Sequence, residues 1–334
     1  MRRLTLIVII LAGIYSAYWF IGASATERAA SAQLGELNTA GWNVEYSDLS
    51  TIGFPSRFDT SLTDFHLESP DRRTVWDVPF VQALSLSYKP NEVILALPDQ
   101  QTLTRDGMPL GITSSGLLAS LALAPTPALG LVNLTAETGP LTMRGSKSIV
   151  FSVTKGIAAL RLAGPAENQY DAYLDLDGFT LPDNLRNILD PNGKLPASFA
   201  QITMDSSMIF DNPIDRSAFT SQPRPTQITL NGMIVTWGAL QLRGKGDVTV
   251  DILGIPTGRI TISAQNWHDM IGMAASAGLL DQKIANTVQN MGSLLAGGSA
   301  ELSLPITFKN GLMSLGPIPL GPTPRLFRIA QTYQ

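Results

Sequence analysis

The sequence predicts a mainly β protein: a large curved, mostly antiparallel sheet with an apolar face or groove, an N-terminal transmembrane helix and a late helix pair. Three observations predict it. Apolar and polar residues alternate along many short segments after residue 42. An uncharged apolar run follows two arginines at the start. Between residues 266 and 296 the apolar period changes from that of a strand to that of a helix.

The start of the chain sets the topology. Arg2 and Arg3 precede an uncharged stretch from Leu4 to Gly22. As a helix these residues span about 28 Å, close to the hydrocarbon thickness of a bilayer. The arginines place the N-terminus on the cytoplasmic side. Tyr15, Tyr18 and Trp19 lie near the far end, where aromatic rings favour the headgroup layer. Ala23-Ser24-Ala25 fits a signal-peptidase site, so a cleaved signal peptide is the rival. The apolar run exceeds the roughly 7–15 residues of a signal core, which favours a retained signal anchor over residues 1–25. Both alternatives send the rest of the chain across the membrane. Residues 26–41 read as a helical spacer, with Ala29, Ala32, Leu34 and Leu37 as a stripe and Gly41 as its stop.

Residues 42–334 form the β-rich body. Tyr170, Ala172, Leu174 and Leu176 alternate with Asp171, Tyr173, Asp175 and Asp177. Ile202, Met204, Met208 and Phe210 share one phase, as do Val248 and Val250, and Leu302, Leu304, Ile306 and Phe308. Each pattern is that of a strand with one buried and one wet face. Along 58–67 the phase flips, which predicts a β-bulge. Asn231-Gly232, Asp106-Gly107 and Asn310-Gly311 read as turns. The helix pair occupies about 266–296. Asn266 is the expected cap of the first helix, whose stripe includes Trp267 and Met270. The second starts near Asp281, carries Ile284, Val288, Met291, Leu294 and Leu295, and stops at Gly297-Gly298.

Composition excludes several chemistries. The net charge is −4 and no basic cluster follows the start, so no nucleic-acid partner is expected. Charged residues are only 15%, against about 25% in ordinary soluble domains, and polar uncharged residues fill the gap. The chain has no cysteine, which removes disulfides, thiol catalysis and thiolate metal sites. Its two histidines, His66 and His268, stand apart from any metal or triad pattern. Asp171, Asp175 and Asp177 lack calcium-loop spacing. Gly145-Ser146-Lys147-Ser148 lacks the glycine of a phosphate loop and reads as a turn. No catalytic residue, metal site or cofactor is expected, and the chain is not expected to be an enzyme.

Gly53-Phe54-Pro55-Ser56-Arg57-Phe58 follows Tyr46-Ser47-Asp48-Leu49 and precedes Trp76-Asp77-Val78-Pro79 and Tyr88-Lys89-Pro90-Asn91. This series resembles domain of unknown function 2125, a family of Gram-negative envelope proteins, over nearly the whole chain. The helix pair and Leu315-Gly316-Pro317-Ile318-Pro319-Leu320-Gly321 more weakly resemble the C-terminal end of AsmA-like proteins. The AsmA-like resemblance implies a single-pass inner-membrane anchor, a periplasmic body and a role in envelope lipid homeostasis. In the residues themselves, Gly53, Phe54, Pro55 and Arg57 read as an architectural turn.

The apolar strand faces and this resemblance together lead to a functional expectation. A membrane-anchored periplasmic body binds lipid or another amphiphile in a β-sheet groove. The expected lining is Leu174, Leu176, Ile202, Met204, Met208, Phe210, Val248, Val250, Ile260 and Ile262. The alternative is a structural or protein-interaction module with a closed apolar core and an envelope protein as partner.

A retained anchor makes one measurable difference. Intact-mass analysis of the membrane fraction should find the N-terminal segment attached. A mature N-terminus at Thr26 would show cleavage instead.

Overall fold

The computed structural model describes residues 1–145, 149–164, 166–191 and 193–327. It divides into two compact units, Met1–Val150 and Phe151–Gln334.

The first unit begins with α1 (Arg2–Thr39), an unbroken helix of 38 residues. Anchor and spacer are therefore one element. Beyond Gly22 the chain is rich in Ala, Glu, Gln and Leu, which propagate a helix, and this part rests on the sheet. After α1 the chain turns back through β1 (Asn43–Glu45) and β2 (Asp48–Ile52), both paired with β3 (Arg57–Glu68). β3 pairs with β4 (Thr74–Leu86) along its whole length.

The next strands come in interrupted rows. β5 (Lys89–Ala96) continues as β6 (Gln100–Arg105), and both pair with β4. β7 (Met108–Ser114) continues as β8 (Leu118–Leu123), pairing with β6 and β5 in turn. β9 (Leu131–Thr138) pairs with β8, and β10 (Leu141–Arg144) pairs with β7. The unit is thus one antiparallel meander of long strands crossed by a single crease. The crease passes through Ser47, Asp64 opposite Pro79, Leu97-Pro98-Asp99, Ser115-Gly116-Leu117 and Gly139-Pro140. Three prolines on this line have no N–H for a ladder, which is why pairing breaks there.

The expected bulge at 58–67 is corrected by this crease. Thr63 pairs Phe80 and Phe65 pairs Val78 with no shift of register. Asp64 instead takes φ of 50°, and the apolar phase flips in both strands at once. No residue is inserted, so the face stays apolar on both sides of the crease. Val44, Phe65 and Val78 form its core, with Leu34 and Leu37 of α1 packed on them.

β11 (Ile149–Val153) straddles the division between the units. The second unit is a plain meander in which each strand pairs antiparallel with the next: β12 (Lys155–Leu162), β13 (Gln169–Phe179), β14 (Phe199–Phe210), β15 (Pro225–Trp237), β16 (Leu240–Val250), β17 (Pro256–Gln265), β18 (Glu301–Lys309), β19 (Leu312–Leu315) and β20 (Ile318–Pro322). Asn231-Gly232, expected as a turn, lies inside β15 as a register shift, and the Asn231 amide donates to Asp205 at 3.0 Å. Short helices α2 (Asp183–Leu189) and α3 (Ala218–Ser221) occupy two of the long connections.

The helix pair, α4 (Trp267–Ser276) and α5 (Gln282–Ala296), bridges β17 and β18. Trp267, Ala285 and Val288 are almost fully buried. Gly292 lets α5 lie directly on Trp267 and Leu302, since a Cβ there would come within 2.7 Å of the indole. The stripe is narrower than expected: Leu294 and Leu295, counted on it from sequence, point to solvent. Asn266 does not cap α4 with its side chain, which donates to the Ala239 carbonyl at 2.6 Å. Asp281 does cap α5, accepting from the Lys283 N–H at 2.8 Å.

The two stripe residues should therefore behave oppositely. Trp267→Ala should cost about 3–5 kcal/mol in denaturant unfolding, as for a buried aromatic. Leu294→Ala should stay within about 0.5 kcal/mol. Equal effects would contradict this packing.

Candidate functional site

The second unit carries a continuous apolar strip. Strand pairing puts directly opposed residues on one face. One row runs Leu176, Ile202, Val235, Leu242, Ala264, Leu302. The next runs Leu174, Met204, Met233, Gly244, Ile262, Leu304. A third contains Ser206, Leu230, Gly246, Ile260 and Ile306, and a fourth Tyr170, Met208, Ile228 and Val248. Phe210 and Val250 extend two of these strands past the fourth row, with the Phe210 ring 5.8 Å from Tyr170. All ten side chains expected to line a groove thus belong to strands β13, β14, β16 and β17.

Burial along the strip is uneven. At one end Trp237, Leu240 and Leu302 are buried, under the helix pair and the loop whose Pro196 carbonyl accepts from the Trp237 indole at 2.8 Å. At the other end Tyr170, Val248 and Val250 are buried. Between them Leu174, Met204, Met233, Ile260, Ile262 and Leu304 are only half-buried. In the same rows Ser206 is buried, and so is Gly244, over which Met233, Ile262 and Leu230 close. The strip is therefore a shallow apolar trough, partly covered all along its length.

The first unit holds a cavity that sequence reasoning missed. It measures about 580 Å³ and is open to one side. Leu84, Leu86, Ile94 and Leu121 give it apolar walls, while Arg57, Glu92 and Asn133 add polar groups. These residues come from β3, β4, β5, β8 and β9, and only pairing of β5 with β8 brings them together. The available signal was the unbroken Val93-Ile94-Leu95 run, which puts apolar side chains on both faces of β5.

The Gly53-Phe54-Pro55 turn joins β2 to β3 and receives α1. Gly53 has φ of 110°, a conformation other residues avoid. The Phe54 ring lies 5.5 Å from Trp19 and 5.8 Å from Phe20. Trp19, Ala23 and Phe58 form a buried cluster, and the Trp19 indole donates to the Arg57 carbonyl at 2.8 Å. Gly22 permits this contact, because a Cβ there would stand 2.5 Å from Phe58. Arg57 itself turns away and pairs with Asp59 at 3.0 Å.

The polar candidates are engaged in local contacts. His66 Nδ1 lies 2.6 Å from Asp77 across the β3–β4 ladder. His268 Nε2 lies 3.3 Å from the Ser293 hydroxyl, between α4 and α5. Among the described residues no three His, Asp or Glu side chains gather as metal ligands would. Asp171 accepts from the Ser207 hydroxyl at 2.7 Å and from Arg161 at 3.2 Å. Gly145 ends β10's exit, and Ser146, Lys147 and Ser148 of the expected turn lie outside the described residues.

The family model described as "Uncharacterized protein conserved in bacteria (DUF2125)" matches residues 19–324. No curated protein and no solved structure matches the chain.

Asp171 offers a test of the wet face. The Ser207 hydroxyl, and then Arg161, hold its carboxyl below the usual carboxylate range against a smaller opposing effect of burial. A depressed folded-state value stabilises the fold at neutral pH, and that gain disappears as pH falls through the depressed value. Asp171→Asn should therefore cost less than about 1 kcal/mol at neutral pH, because the pair is exposed. Thermal unfolding against pH should show the difference from wild type shrinking on the acid side.

Proposed function

The chain belongs to the bacterial DUF2125 family, and we propose that its body binds lipid or another amphiphile on an apolar sheet face. In this reading α1 anchors the chain in the inner membrane, the body lies in the periplasm, and the protein serves envelope lipid homeostasis. α1 is long and apolar enough to cross a membrane, which supports the anchor. The observation that carries the ligand is the trough: Leu174, Met204, Met233, Ile262 and Leu304 stand side by side and each stays half-buried.

The chemistry is that of burial alone. Each acyl methylene removed from water contributes roughly 0.8 kcal/mol, so ten contribute about 8 kcal/mol before ordering costs. Methionines at the centre adapt to chains of different shape. No charged residue is needed on the strip, and none occurs in its middle rows. The protein binds and presents its ligand and does no chemistry on it.

Native mass spectrometry of the full chain released from detergent tests this reading. Copurifying lipid is expected, and Met204→Glu or Ile262→Glu should abolish it while Arg243→Glu on the opposite face should not. A bare protein, or equal retention by all variants, would transfer the role to a protein-interaction module.

A further inference from the structure

The two ends of the first unit differ in charge. The strands of its meander alternate in direction, so their connections fall at one end or the other. At one end lie Gly53-Phe54-Pro55-Ser56, Ser87-Tyr88 and residues 124–130, which read Ala-Pro-Thr-Pro-Ala-Leu-Gly. None of these carries a charge. At the opposite end lie the β3–β4 connection, with Asp71, Arg72 and Arg73, and the β6–β7 connection, with Asp106 beside Arg105. Arg73 and Asp106 pair there at 2.6 Å.

The uncharged end is also the end that meets α1. The Tyr15 hydroxyl lies 3.3 Å from the Ser87 hydroxyl, and the Tyr18 hydroxyl donates to the Ser87 carbonyl. Ser87 in turn donates its N–H to Ser56, joining the two hairpins. Farther along the helix, Glu27 accepts from the Thr51 N–H at 2.7 Å. Glu27 is the first charge after Arg3.

Lengths then decide where the bilayer ends. Only Leu4–Ile14 precede the first of these contacts, and eleven helical residues rise about 16 Å. The hydrocarbon core is about 30 Å thick. If α1 spans it, about 14 Å of the crossing is made by helix already flanked by hairpins. Glu27 lies seven residues beyond Phe20, about 10 Å along the axis, so the Phe54 turn lies well below the first charge of the helix.

We propose that the uncharged end of the first unit is immersed in the membrane leaflet on the body's side, with lipid as its partner. Ile52, Phe54, Leu86 and Tyr88, all exposed in the protein, face acyl chains and the headgroup boundary. Arg57 and Lys89 follow directly on the tips, half-exposed and paired with Asp59 and Glu92, and set the headgroup level, where charged side chains near an interface lie. Leu86 and Arg57 also line the 580 Å³ cavity, so immersion brings that cavity to the bilayer surface. The inference rests on α1 spanning the membrane and is independent of what the trough binds.

The absence of cysteine makes single labelling sites simple to install. Ile52→Cys, Tyr88→Cys and Met108→Cys, each carrying an environment-sensitive fluorophore, compare positions that are 66%, 65% and 67% exposed in the protein alone. Met108 lies at the charged end. Ile10→Cys reports the helix. The full chain is placed in phosphatidylethanolamine–phosphatidylglycerol vesicles, and quenching by aqueous iodide and by spin-labelled lipid is read. Labels at 52 and 88 should shift to the blue, lose iodide quenching and gain lipid quenching, while the label at 108 remains in water. Labels at 52 and 88 as open to iodide as that at 108, with position 10 quenched by lipid, overturn the immersion alone. Position 10 in water overturns the spanning helix and the immersion with it.

Discussion

A strand has two faces, and in this protein nearly every strand is apolar on one of them. That asymmetry obliges each unit to find a cover for a broad sheet face. In the first unit the cover is α1, whose Leu34 and Leu37 rest on Val44, Phe65 and Val78 while Trp19 and Ala23 meet Phe58. In the second it is the helix pair, whose Trp267 and Gly292 pack together beside Leu302 and which leaves the middle rows half-covered. A helix is about 10 Å wide and these faces are many strands broad, so coverage is necessarily partial. The trough follows from that shortfall of covering elements.

The Gly53-Phe54-Pro55 turn has its meaning in the same constraint. Its ring contacts to Trp19 and Phe20, the bare surface of Gly22 and the Glu27–Thr51 hydrogen bond fix α1 along the returning β2 strand. A helix that served only as a tether would need none of these. Here the helix is part of the fold, and the first unit's core is incomplete without it.

Much of this was legible because side-chain alternation is local. The in-phase sets at 170–176, 202–210 and 302–308 can be read without knowing which strands are neighbours, and they coincide with β13, β14 and β18. The helix pair was legible from its change of period and from Asp281 and Gly297. What stayed hidden depends on partners distant in sequence. The phase flip at Asp64 looked like an inserted residue because its mate, Pro79, flips with it only in the paired state. Leu294 and Leu295 fit a helical stripe, but Gly292 lets the contact face rotate towards Ala285 and Val288. The cavity of the first unit requires β5 to lie beside β8, and no local pattern announces that pairing. The division into two units was likewise invisible, since Val150 and Phe151 sit in a continuous apolar run.

The meander of the second unit has a consequence for how the chain acquires its shape. From β13 to β20 every strand pairs with the one before it, so these pairings are between chain neighbours. Topologies of this kind close small loops and have little entropy to overcome at each step. Such a sheet can grow from its N-terminal side as the polypeptide emerges, each new strand zipping onto the last while the remainder is still unfolded. The growing edge is exposed throughout, and each arriving segment is both the cap for the previous strand and the template for the next.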